Sequence, residues 1–414
     1  DHEGTRLGVL RMAGAPATTT IQGGGTGGLE GATPPAEFAA ISKAGTAALF
    51  GTQGFALSTR STNFVLQERF PPQVSPAPGG PLLGVQFSQL QCSNVNRTGH
   101  PANQVGLPLG LSADPAGLPL YKNGVAVGGI GVEGDGIYTL DRDPSDRDQP
   151  LEEIIAAAGT LGFAAPTGIR ADRILVDGFT LPFANAEPPA GQNTTPYATF
   201  AAAGTEIVVP INSPPSGFVP RVVGGVAGFV DTISSPVPFI GGTDGLLTAA
   251  EVEQLIGQAA REAERTRSAI RNPLGLPARM SITVVDTNGV ILGMFRNLDA
   301  PVESWDISAQ KARTANFFAR ADAGTILATN GLGNYVTALA ADGIQLDGSI
   351  AFSARAIGFL SYPVFPPGAI DPFPFGPLSK PIGQWSIFNI GLQSDALNVA
   401  NVLSGAGPCT NIPQ

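Results

Sequence analysis

The chain has 414 residues, 54 of them glycine and 37 proline, with a charged fraction of only 14% and a net charge of −10. Such a length holds two or three domains of ordinary size, and no apolar run approaches the ~18–20 residues of a membrane-spanning helix. Four lysines (Lys43, Lys122, Lys311 and Lys380) make no basic stripe for nucleic acid or polybasic patch for a membrane, and two cysteines exclude a cysteine-built zinc site, an iron–sulfur cluster and covalent c-type haem.

Taken in chain order, Asp1–Gly4 reads as a turn into a strand, followed by a glycine-rich run at 23–28 and a helix carrying Lys43 and Thr46. Leu118–Val132 reads as two short strands around Lys122-Asn-Gly124, an Asn-Gly hairpin turn. Asp141, Asp143, Asp146 and Asp148 form an acidic loop, read as solvated, with calcium ligation as the weaker alternative. A helix is predicted from about Pro150 to Leu161, with Asp148 as its cap. Residues 167–245 form a Pro/Gly-rich connector with one strand-like run, Arg173–Val176.

Thr248 and Glu251 then make a capping box ahead of an apolar stripe at Val252, Leu255, Ile256 and Ala259. Met280–Val285 and Val290–Phe295 read as strands joined by the turn Asp286-Thr-Asn-Gly289. A helix with Lys311 and Thr314 follows.

Self-similarity organises these elements. Residues 1–16 align without a gap to 286–301, matching Asp1/Asp286, Gly4/Gly289, Leu7/Leu292, Gly8/Gly293, Arg11/Arg296, Ala15/Ala300 and Pro16/Pro301. Lys43–Phe50 aligns to Lys311–Phe318, Ala56–Phe64 to Ala351–Phe359, and Gly80-Pro-Leu82 to Gly376-Pro-Leu378. The chain therefore reads as two incomplete copies of one module, residues 1–166 and 246–414, joined by the connector. The first lacks an N-terminal helix and strand; the second lacks a C-terminal hairpin and helix. An unpaired first strand would leave an open sheet edge, so a separately cleaved segment, a neighbouring subunit or further sequence is expected to complete each copy. Low lysine content, paired cysteine count and Pro/Gly loops suggest a secreted, periplasmic or extracellular protein, with one disulfide possible between Cys92 and Cys409.

The runs Leu247–Val252, Val284–Gly289, Arg296–Pro301 and Ser308–Ala315, with Gly117–Gly134 and the helix after Asp148, resemble the GlcG/HbpS-like family of haem-binding modules. The long Pro/Gly insertions depart from that pattern. The resemblance implies an α/β (α+β) module, an antiparallel sheet flanked by helices, assembled into oligomers. It also implies non-covalently held haem, for which His2 is the candidate iron ligand and Arg11, Lys43, Arg296 and Lys311 are candidate propionate partners. The plainer reading makes His2 and the loop residue His100 exposed, Met12, Met280 and Met294 core, and both lysines packing devices whose amines meet a neighbouring carbonyl or acid. The arginines would form solvated ion pairs. No Ser/His/Asp or Cys/His set is present, so no catalytic residue is expected. Two functions follow: a tetrapyrrole-binding protein acting within a homo-oligomer or polymer, or a structural subunit of an extracellular assembly that keeps the fold without the ligand.

Overall fold

The computed structural model describes residues 1–74 (without 28), 80, 82, 107–207 (without 177, 189 and 191–195), 217–366 (without 233), 369, 374–384, 391–392 and 395–396. Its first half holds β1 (Leu10–Met12), β2 (Thr20–Gln22), α1 (Ala36–Leu49), α2 (Thr59–Leu66), β3 (Gly117–Lys122), β4 (Val125–Gly131), β5 (Ile137–Thr139) and α3 (Leu151–Gly159). The middle holds β6 (Leu175–Val176), β7 (Phe179–Thr180), α4 (Tyr197–Ala202), β8 (Gly204–Glu206), β9 (Phe218–Val223) and β10 (Val226–Asp231). The last part holds α5 (Ala249–Arg265), β11 (Ser281–Val285), β12 (Ile291–Asn297), α6 (Ser304–Phe318), α7 (Ala323–Leu327), α8 (Gly333–Ala341) and α9 (Ala354–Leu360).

The class is mixed α+β, and its largest sheet is antiparallel in the order β11-β12-β10-β9. Helices flank that sheet. Val252, Ile256 and Ala260 of α5 pack on Leu292 and Phe295 of β12, while Trp305 and Ala309 of α6 pack with Ile291 and Met294. One strand thus feeds both layers, with an irregularity in its pairing between Val284 and Val285. The capping box starts α5 as expected: Thr248 accepts the Glu251 amide and Glu251 accepts the Thr248 amide. The buried stripe differs from the expected one. Val252, Ile256, Ala260 and Ala263 face inward, whereas Leu255 is 44% exposed.

The connector contributes more strands than its composition suggested. Gly224 and Gly225, at φ 58° and 83°, turn β9 into β10, and β10 pairs with β12 (Phe229 opposite Arg296). Such a tight turn needs positive φ at both central residues, which glycine adopts without steric cost. In the N-terminal half the same role falls to β8, where Thr205 lies opposite Arg11 of β1. The first strand is thus paired within the chain on that side, contrary to the open edge expected. The expected helix cap is also displaced: Pro150 precedes α3 and no side chain caps it.

The four aligned blocks share some local features. Asp1 Oδ1 accepts the amides of Glu3 (3.0 Å) and Thr5 (2.9 Å), and Asp286 Oδ1 accepts those of Asn288 (3.0 Å) and Val290 (2.9 Å). Lys43 and Lys311 both lie on helices, α1 and α6. Ser58 and Ser353 cap α2 and α9, each accepting the amide three residues on. Gly80 and Leu82 donate to Gln67 O (2.9 Å) and Val65 O (3.0 Å); Gly376 and Leu378 donate to Tyr362 O (2.8 Å) and Leu360 O (2.9 Å).

The halves also share a core. Leu49, Phe50, Phe55 and Leu57 pack in one cluster with Ile291, Met294, Val302 and Trp305. Backbone bonds stitch the seam, Val302 N to Leu49 O (2.9 Å) and Asn272 N to Gly54 O (2.8 Å).

Candidate functional site

The strongest polar constellation is buried between α1, the β3–β4 hairpin and α3. Lys43 Nζ lies 2.6 Å from Glu152 Oε2, 2.8 Å from Glu133 Oε2 and 3.1 Å from Asp114 Oδ2, and its side chain is wholly buried. The three carboxylates converge within 4.8 Å of one another. Glu152 is held by the amides of Gly134 and Asp135, the latter at 3.0 Å.

Close packing makes this site possible. A Cβ at Gly129 would stand 2.2 Å from Ala44 O, and one at Gly131 would stand 2.3 Å from Ala40 O. The glycines let β4 lie directly on the alanine stripe of α1, which closes the site to water.

Burial alone would drive the Lys43 amine toward neutrality, but the fields of Asp114, Glu133 and Glu152 override it and hold the ammonium firmly protonated. The same burial pushes the carboxyls of Asp114 and Glu133 upward, against the pull of Lys43. Three carboxylates face one ammonium, so burial opposes ionisation of the surplus acid.

A second cage adjoins it. Arg60 on α2 binds Glu153 Oε1 (2.8 Å), Asp141 Oδ2 (2.7 Å) and Asp148 Oδ1 (3.0 Å). Asp141 therefore leaves the solvated loop expected of it, whereas Asp148 stays 44% exposed beside Arg60 and Asp143, also exposed, accepts from the amide and hydroxyl of Ser145. Because Glu152 and Glu153 both point inward, α3 is inverted. It buries Glu152, Glu153, Ala156 and Ala157, and leaves Leu151 (76%), Ile154 (41%) and Ile155 (58%) exposed.

The five residues marked for a tetrapyrrole do not gather into one site, although His2 lies within reach of the charge of Arg296. Lys43 is sealed in its cage, and Lys311 is exposed on α6. Arg11 pairs with Glu37 at 2.8 Å in a half-exposed ion pair. Arg296 departs from the solvated pair expected: it is buried beneath Phe218 (4.5 Å) and Phe229 (5.1 Å), with Nη1 donating to Ala300 O. His2 is not an exposed turn residue. Its Nε2 lies 2.7 Å from Gly51 O, and burial lowers its pKa, with the charge of Arg296 adding to the shift. The expected core methionines divide, Met294 being buried while Met12 and Met280 are exposed. His100, Cys92 and Cys409 lie outside the described residues.

A recess lined by Leu118, Pro119, Ala157, Arg170 and Phe183 encloses about 260 Å³ even with open solvent included. No helix among the described residues is long and apolar enough to cross a membrane. Compared with protein families, curated proteins and solved structures, the chain matches none.

Sequence reasoning singled out Lys43 through the repeat but missed Asp114, Glu133, Glu152 and Arg60. A usable signal existed in Glu152-Glu153, two acids side by side where helical periodicity makes Ile154 and Ile155 the natural inward pair.

Proposed function

We propose that this chain is a structural, self-associating protein built from two copies of one module, with no chemistry of its own. The observation that carries the reading is the inverted helix α3. Burying an aliphatic side chain is worth roughly 1.5–3 kcal/mol, yet α3 presents Leu151, Ile154 and Ile155 outward, with Phe163 (45% exposed) just beyond its C-terminus. Contiguous apolar patches of this kind mark protein interaction sites. The ion cages behind α3 fix its orientation, so the exposed stripe is rigid rather than a fluctuation. The matched blocks support the duplication, and the sealed Lys43 site supports a packing role for the repeated lysine.

Light scattering coupled to size exclusion tests this reading. Wild-type protein is expected to self-associate, and Ile155→Glu, which adds charge to the stripe without touching the core, is expected to release monomers. Monomeric wild type, indistinguishable from the variant, would overturn it. A saturating Soret band on haemin titration, lost in His2→Ala, would restore the tetrapyrrole reading instead.

A further inference from the structure

The halves differ in what covers the helix that bears the repeated lysine. On α1, the glycine face of β4 lies against Ala40, Ala44 and Ala48, and α3 brings Glu152 to Lys43. In register, Ala40, Lys43 and Ala44 correspond to Ser308, Lys311 and Ala312 of α6. Ser308 reaches Thr283 of β11 (2.6 Å between hydroxyl oxygens), which places this stripe beside the sheet. Among the described residues no hairpin lies over it: Ser308 and Ala312 are half-exposed, Lys311 is exposed, and β11 is the last strand of its sheet.

Three features define what fits there. An edge strand presents unpaired amides and carbonyls, which another strand satisfies. Small side chains at Ser308 and Ala312 leave room for a glycine-bearing strand to approach the helix backbone closely, as Gly129 and Gly131 do on α1. An exposed ammonium at the rim calls for carboxylates. We propose that α6 and the edge of β11 that pairs with no strand among the described residues form an acceptor for a glycine-rich β-hairpin and acidic helix turn carried by another polypeptide. Residues 117–153 build such an element on α1. The proposal rests on the reading of the halves as copies, and it concerns a surface separate from the exposed stripe of α3.

Lysine acetylation of the protein isolated from the cells that produce it tests the acceptor, with exposed Lys122 and buried Lys43 as internal references. Lys311 is expected to be protected like Lys43, and a carbodiimide is expected to link it to an Asp or Glu in a glycine-rich segment of a second chain. Lys311→Glu and Ala312→Phe, neither altering a buried residue, are expected to keep the wild-type Tm; the first loses the cross-link and the second loses the protection of Lys311. Reaction of Lys311 at the rate of Lys122 would overturn the proposal. Protection that disappears in Ile155→Glu would also overturn it, since Lys311 would then be shielded by assembly through α3. Protection retained in that variant supports the acceptor even if α3 plays no part in self-association.

Discussion

A buried ammonium ringed by carboxylates depends on every member of the ring. Lys43→Met strands Asp114, Glu133 and Glu152 without their cation, and removing one partner of a buried ion pair costs about 3–5 kcal/mol. Urea unfolding should show a loss of that size, whereas Asp114→Asn, isosteric with a protonated carboxyl, should cost far less. Equal losses would mean that Asp114 is ionised. Glu303 offers a pH test. Its Oε2 is buried with no hydrogen-bond partner, and burial pushes its carboxyl up to about 8. The folded state therefore binds a proton that the unfolded chain releases above about 4.5. The resulting stability is complete below that pH and is lost as pH rises toward 8. His2 acts in the opposite sense: its depressed pKa gives stability above about 6.5 that is lost on acidification. Glu303→Gln should flatten the decline of Tm between about pH 4.5 and 8, read by scanning calorimetry at stepped pH. Parallel wild-type and variant curves would show that Glu303 does not titrate there.

At the scale of elements, the seam between α1 and β4 makes a sharp prediction. Gly129→Ala places a methyl against the backbone of Ala44 and should cost about 1–3 kcal/mol, as overpacking does. Gly168→Ala, which meets open space, should be silent in the same chemical denaturation series. The sequence was most legible where structure is local. The Asn123–Gly124 turn, the Thr248–Glu251 box and the β11–β12 hairpin all announce themselves within a few residues. The β9–β10 hairpin carried an equally local signal, Gly224-Gly225 between apolar runs, but the surrounding prolines and glycines hid it. The ion cages were not legible, because Glu152 lies 109 residues from Lys43 and Glu153 lies 93 from Arg60. Only the tertiary fold brings them together, and in doing so it overrides the apolar periodicity that would have turned Ile154 and Ile155 inward.

For the molecule as a whole, the shared core argues against independent halves. Trp305 packs with Leu49, Phe50 and Phe55 from the other end of the chain, so loosening either half exposes it. In a Trp385→Phe background, Trp305 fluorescence and far-ultraviolet circular dichroism should follow one coincident thermal transition. Two separated transitions would show that the halves unfold as separate units. The glycine seam adds a consequence for exchange with solvent. A helix whose backbone rests directly on a strand, with its one cation locked behind three acids, has no small opening that would admit water to its amides. In deuterated solvent the amides of α1 should be among the last to exchange, and at a rate set by global unfolding rather than local fraying.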